Sequence, residues 1–179
     1  MPAARITKVV EVVSMLGSLN SSEIKLISIM QSLLFESITV DEIDLPAIKE
    51  KNIRVSVLRL DKIHPIISGN KWFKLRYNLD EAKARGKTHI VTFGGAWSNH
   101  IAATAAACHM EGLPCTGIIR GEAAPALSPT LEQAQRYGMQ LHFVSRETYR
   151  QKENINWEDQ YPNSFIIPEG GHNALGAMG

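Results

Sequence analysis

The sequence predicts an α/β fold, a doubly wound and mostly parallel sheet with helices on both faces. Three observations predict it. Short apolar runs at 89–93, 116–119, 141–144 and 164–167 recur roughly every 25 residues, each suited to a strand buried on both faces. Between them lie helical patterns that open at Ser98 and at Ser128-Pro129 and close at Gly112 and Gly138. Strand and helix in alternation imply βαβ units, because parallel neighbours need a crossover connection.

The 179 residues, 19.8 kDa, suffice for one domain of ordinary size or for a small domain and part of another. Nineteen basic against eighteen acidic residues leave no cationic excess for a polyphosphate backbone, so nucleic acid is not an expected partner. Val9, Val10, Val12, Val13, Met15 and Leu16 form an apolar run, but Glu11 interrupts it. The run is a poor secretory signal and too short and mixed to span a bilayer, so no membrane partner is expected either. Residues 1–29 read as a non-core extension, and Met30 opens a passage that looks like a cytoplasmic protein's start. Cys108 and Cys115 show neither CxxC nor histidine-paired spacing; they read as buried packing residues, with no metal site.

Taken in order, Val55, Val57, Leu58 and Leu60 make the first strand-like run, ended at Pro65, which cannot supply a ladder donor. Trp72, Leu75, Leu79 and Ala82 follow with a 3, 4, 3 spacing, the apolar stripe of a helix that starts at Lys71 and stops at Gly86. His89 to Phe93 is the next strand, closed by Gly94-Gly95. Ser98 caps an alanine-rich helix through Ile101, Ala105 and Met110, and Leu131, Ala134 and Tyr137 mark the helix after Ser128. A polar helical stretch from Ser145 leads to the strand Ser164–Ile167. In such sheets ligands bind beyond the carboxyl ends of the strands. The loops 94–100, 120–128 and 168–179 are expected at that edge.

Two segments carry chemistry. Ser68-Gly69-Asn70-Lys71 is a polar turn that delivers a lysine to the first turn of a helix, where the dipole disfavours a second positive charge. A lysine pressed toward neutrality is a nucleophile that can form an imine with an aldehyde, although an isolated lysine of this kind is more often a solvated charge. In Gly94-Gly95-Ala96-Trp97-Ser98-Asn99-His100 the glycines permit close backbone approach, and the polar residues sit at a helix start suited to a carboxylate. Ser98 lacks the strand-elbow context of a serine hydrolase. Lys74, one turn after Lys71, is either a solvated charge or a holder of an anion. Gly170, Gly171, Gly176 and Gly179 do not fit G-x-G-x-x-G, so a dinucleotide site is poorly supported.

Together, Ser68-Gly69-Asn70-Lys71-Trp72-Phe73-Lys74-Leu75 and Gly95-Ala96-Trp97-Ser98-Asn99-His100 resemble the 1-aminocyclopropane-1-carboxylate deaminase and D-cysteine desulfhydrase family of fold type II pyridoxal-phosphate enzymes. The resemblance extends from roughly Met30 to Gly179 and includes Ile167-Pro168-Glu169-Gly170-Gly171 and Ala174-Leu175-Gly176. It implies a tryptophan synthase β-like fold and pyridoxal 5'-phosphate as cofactor, with Lys71 holding the cofactor aldehyde as a Schiff base and moving substrate protons. Asn99 matches the asparagine that binds the cofactor's ring hydroxyl, and Lys74 is a further candidate for holding it. Ser98, Asn99 and His100 would face a small amino-acid substrate, with Ser98 on its carboxylate.

The same resemblance implies a division of the chain. Residues 30–74 would be the first part of a large cofactor domain, 75–170 a small α/β domain, and 171–179 the start of a return into the large one. It also implies a homo-oligomer, commonly a dimer. Relatives continue with a glycine- and threonine-rich phosphate loop, so weak cofactor binding by these 179 residues is expected. The implied activity is that of a lyase or deaminase. It leans to D-cysteine through His100, where deaminases carry glutamine; 1-aminocyclopropane-1-carboxylate is the alternative, and an inactive fragment or α/β binding domain is the reading from another class.

Overall fold

The structure, a computed structural model, describes residues 37–179, so the apolar run at 9–16 and the extension read over 1–29 lie outside the described residues. Its first two strands, β1 (Val40–Glu42) and β2 (Ser56–Leu58), pair antiparallel and flank the short helix α1 (Pro46–Lys49). The run at 55–60 thus forms its strand but does not enter the parallel sheet. Ser56, Val57 and Leu58 are all exposed, unlike a strand buried on both faces of a parallel sheet. Arg59 pairs with Asp41 across the ribbon and with Asp61 two residues further along its own segment, at 2.8 Å each.

The chain then passes through a turn at His64, whose Nδ1 accepts from the Ile66 and Ile67 amides at 3.0 and 2.9 Å. From there it enters α2 (Lys71–Ala84). The expected apolar stripe is present: Leu75, Leu79 and Ala82 are buried, Trp72 packs against the same core, and Gly86 leaves the helix at φ +65°.

Strands β3 (His89–Gly94), β4 (Cys115–Arg120), β5 (Gln140–Val144) and β6 (Ser164–Ile167) form a parallel sheet in the order β5-β4-β3-β6. Helix α3 (Asn99–Glu111) links β3 to β4, and α4 (Pro129–Arg136) links β4 to β5. The chain next crosses back through α5 (Arg146–Arg150) and α6 (Trp157–Gln160) to lay β6 on the other side of β3. The strand order therefore reverses at β3, and the crevice beyond its carboxyl end is the topological switch point.

Alternation within the strands sorts the core into two layers. Ile90, Cys115, Ile119, Phe165 and Ile167 face α2, α3 and α4, while Val91, Phe93 and Ile118 face Tyr149 of α5 and Trp157 of α6. Helices cover both faces, as the alternating pattern predicts. Alanines let α3 lie close to the sheet, with every residue from His100 to Cys108 buried. Cys108 and Cys115 are free and buried, in keeping with a packing role. After β6, a kinked turn at Glu169–Gly171 leads into α7 (Ala174–Met178), which packs on α2.

Candidate active site

Three segments converge at the carboxyl edge of β3 and β6: the start of α2, the loop into α3, and the turn after β6. The first is set by Gly69, whose φ of +63° makes the turn and whose amide donates to Leu60 O at 3.0 Å. Asn70 precedes the helix but makes no side-chain cap; its Oδ1 accepts from Lys71 Nζ at 3.1 Å instead. Lys71 is half-buried, and burial first, then the charge of Lys74, lowers its pKa from the ordinary lysine value. The helix-dipole argument gives the same direction. Desolvation is the larger cause.

The second segment is held by packing that leaves no room for a side chain. A Cβ on Gly94 would lie 2.5 Å from Ile101 Cγ1 and 2.7 Å from Ser98 Oγ, so the loop can fold back only over a glycine. Ser98 caps α3, accepting from the Ile101 amide at 3.4 Å, and Ser128 at the start of α4 donates its hydroxyl to Ala96 O. Asn99, the first residue of α3, is exposed. Ser98 and Asn99 sit among the orphan amides of a 13-residue helix, a setting that suits an anion. Among the described residues no hydrogen bond joins either of them to Lys71 or Lys74.

His100 turns inward. It is 3% exposed, and its Nε2 lies 2.9 Å from Thr92 Oγ1, which itself donates to Ile167 O at 2.9 Å. Because the threonine proton is committed to a carbonyl, Nε2 must carry the hydrogen and donate. That leaves Nδ1 as a bare acceptor, buried and without a partner. Burial, reinforced by Lys71, Lys74 and His172, pushes the His100 pKa down to about 3, so the ring is neutral.

The third segment completes the cluster with the opposite tautomer. His172 Nδ1 donates to Glu169 O at 2.9 Å, and its Nε2 faces the Lys74 ammonium at 3.3 Å as acceptor. Gly171, at φ +68°, lies against both elements: a Cβ there would meet Lys74 Cβ at 3.2 Å and His100 Cε1 at 3.7 Å. Asn78, fully buried in α2, exchanges amide hydrogen bonds with Asn173 at 2.7 and 3.3 Å and donates to Lys74 O. Asn173 Oδ1 also caps α7 through the Gly176 amide at 2.8 Å. The glycines that fit no dinucleotide motif have a packing reason, since a Cβ on Gly176 would stand 2.0 Å from Gly171 O.

The structure therefore brings Lys71, Lys74 and His100 together and places Ser98 and Asn99 on the adjoining helix start. Thr92, Asn78, His172 and Asn173 join them. Two had a signal: Asn78 is a polar residue on the apolar stripe of α2, and Thr92 interrupts the apolar run of β3.

Known proteins are similar to this chain in sequence and in fold. No protein-family model matches the chain. A Thermotoga maritima protein whose name proposes a 1-aminocyclopropane-1-carboxylate deaminase is 36% identical over 132 residues, covering 70% of this chain and 42% of that protein. An Arabidopsis thaliana bifunctional D-cysteine desulfhydrase/1-aminocyclopropane-1-carboxylate deaminase is 32% identical over 128 residues, 63% of this chain and 31% of its own. A Salmonella paratyphi A D-cysteine desulfhydrase is 28% identical over 145 residues, covering 75% and 44%. The chain spans less than half the length of these relatives. The crystal structure of an ACC deaminase homologue superposes with a TM-score of 0.63 at 26% identity, over 78% of this chain and 44% of that one. A hydrogen sulfide-producing enzyme of Fusobacterium nucleatum shares the fold with a TM-score of 0.57 at 14% identity, over 84% and 46%. The chain is thus a relative of the 1-aminocyclopropane-1-carboxylate deaminases and D-cysteine desulfhydrases, built on the fold of the type II pyridoxal-phosphate enzymes.

Proposed function

We propose that the protein acts as a pyridoxal-phosphate-dependent lyase or deaminase of a small amino acid, with D-cysteine favoured over 1-aminocyclopropane-1-carboxylate. The observation that carries the reading is the placement of Lys71, half-buried at the head of α2 beside Lys74 and His100, where burial lowers its pKa. This donor set fits the cofactor: an amine nearer neutrality for its aldehyde, the Lys74 ammonium for an anionic group, and the Asn99 carboxamide for its ring hydroxyl. Bound there, pyridoxal phosphate supplies an electron sink for charge that develops on the substrate.

The chain's own residues supply the rest. Lys71 Nζ holds and moves the proton at the substrate's α-carbon, a task suited to an amine whose pKa is brought toward the working pH. Ser98 Oγ and the first amides of α3 take the substrate carboxylate. His100 Nδ1, bare and buried, offers an acceptor to a substrate N–H or S–H. Both candidate substrates carry an amino N–H, and only D-cysteine adds a thiol S–H as a further donor, which supports the lean to D-cysteine, with water yielding pyruvate, ammonia and hydrogen sulfide.

The proposal includes the division at 30–74, 75–170 and 171–179, a homo-oligomer, commonly a dimer, and a cytoplasmic location. The test uses D-cysteine, L-cysteine and 1-aminocyclopropane-1-carboxylate separately, with sulfide and 2-oxo acid measured. Sulfide from D-cysteine, lost in Lys71→Ala, is the expected result. Release of 2-oxobutanoate from the cyclopropane substrate without sulfide from D-cysteine would reverse the preference. Borohydride with cofactor should add a pyridoxyl group to Lys71; labelling of another lysine would remove Lys71 from its role.

A further inference from the structure

On the face of the sheet away from α2 lies a cavity of about 780 Å³ at the same carboxyl edge. Its size is that of a small-molecule site, roughly 300–1,000 Å³. Arg120, Arg146, Arg150 and Lys152 line it, and Glu169 is the single carboxylate among them. Glu169 is paired with Lys152 at 3.3 Å. The three guanidinium groups have no carboxylate partner among the described residues. Such a cluster of like charges is unfavourable when empty and suits the bidentate binding of oxyanions.

A second observation points to a ligand. Tyr149 lines the cavity, is 3% exposed, and has no partner at hydrogen-bond geometry for its Oη. Burial, then the Glu169 carboxylate beside it, keeps that hydroxyl protonated, a donor that has a carboxylate near it but completes no hydrogen bond of good geometry. Arg120 and Lys152 lie over its ring, 5.8 and 4.7 Å from the centroid. Arg120 also reaches Gly95, where a Cβ would meet the guanidinium at 3.5 Å. The cavity therefore adjoins the backbone of the loop that carries Ser98, from the opposite face.

We propose that this cavity binds a multivalent oxyanion of the polyphosphate class, held by Arg120, Arg146 and Arg150 with Tyr149 Oη as a neutral donor, separately from the Lys71 site. The test is calorimetric titration of the protein with inorganic pyrophosphate at low ionic strength, with citrate as the carboxylate counterpart. Expected is saturable 1:1 binding of pyrophosphate that weakens as salt is raised. Arg146 and Arg150 are exposed, so Arg146→Gln and Arg150→Gln should leave the melting temperature unchanged while weakening binding about tenfold each. Tyr149→Phe removes only the hydroxyl and should weaken binding several-fold. Lys71→Ala should bind pyrophosphate as the unaltered protein does, whatever becomes of its activity. Absent saturation, or unchanged binding in both arginine variants and in Tyr149→Phe, would overturn the site. Tighter binding of citrate would overturn the phosphate class, and loss of binding in Lys71→Ala would move the anion to the lysine site.

Discussion

The β2 strand of the ribbon comes from an apolar run, Val55 to Leu60, that resembles those of the parallel sheet, yet the two regions are held by different forces. In the sheet, Ile90, Val91, Ile118, Ile119 and Ile167 are fully buried between helices. In the ribbon, Val40, Val57 and Leu58 are 64%, 39% and 55% exposed, and Arg59 adds an ion pair to Asp41 across the strands while also holding Asp61 in its own segment. What separates them is cover: helices pack on both faces of the parallel sheet, whereas β2 pairs with β1 and leaves its three residues exposed. Burial should therefore govern the stability of one region and solvent-screened charge that of the other.

The largest test of that contrast is a pair of truncations. Ile118→Ala removes a fully buried side chain and should cost about 2–5 kcal/mol in denaturant unfolding. Val57→Ala in the ribbon should stay within about 0.5 kcal/mol. Equal losses would erase the distinction.

Acid should act on the two regions in different windows. The His100 pKa falls from an ordinary 6.5 to about 3 in the folded protein, so below pH 6.5 the unfolded chain takes up a proton that the native one refuses. Stability is then full above 6.5 and declines as pH falls toward 3, by at most about 1.4 kcal/mol per pH unit. Urea unfolding at several pH values should show this slope, and His100→Gln should remove it. Asp41 and Asp61 instead have pKa values lowered by hydrogen bonds, Thr39 then Arg59 for Asp41 and Arg59 for Asp61. Their contribution persists above the ordinary carboxylate range and disappears only as pH falls through the lowered values, below 3.8.

A smaller effect is expected from Ser128→Ala, which removes the α4 cap and the bond to Ala96. It should cost about 1 kcal/mol by thermal unfolding, with faster amide exchange at Ala96–Ser98. Smallest of all, Asp41→Asn should leave global unfolding unchanged and speed exchange only in the ribbon. A fall in the melting temperature of the sheet would show that the two regions are not independent.

Local chemistry made most of the architecture legible. Ser98, Ser128 and Ser145 cap the helices as their positions suggest, and Gly86, Gly112 and Gly138 end helices or their turns in the left-handed region. The ribbon was not legible, because pairing between β1 and β2 depends on which partner burial leaves available. Within the site, Lys71 and the Ser98–His100 segment could be singled out from spacing and resemblance. The state of His100 could not, since it is fixed by Thr92 and, through it, Ile167 O, 75 residues further along. The Asn78–Asn173 and Lys74–His172 contacts are hidden for the same reason: they join residues 95 and 98 positions apart.

The amide exchange between Asn78 and Asn173 has a consequence in time. The two residues meet only after a loop of 95 residues has closed, which places their docking among the slow, non-local events of folding. During synthesis, α2 emerges with Lys71 well before Asn173 and the segment around Gly171 exist to pack against it. The surroundings of the Lys71 amine are therefore completed only once β6 is seated beside β3 and the segment after it has packed on α2.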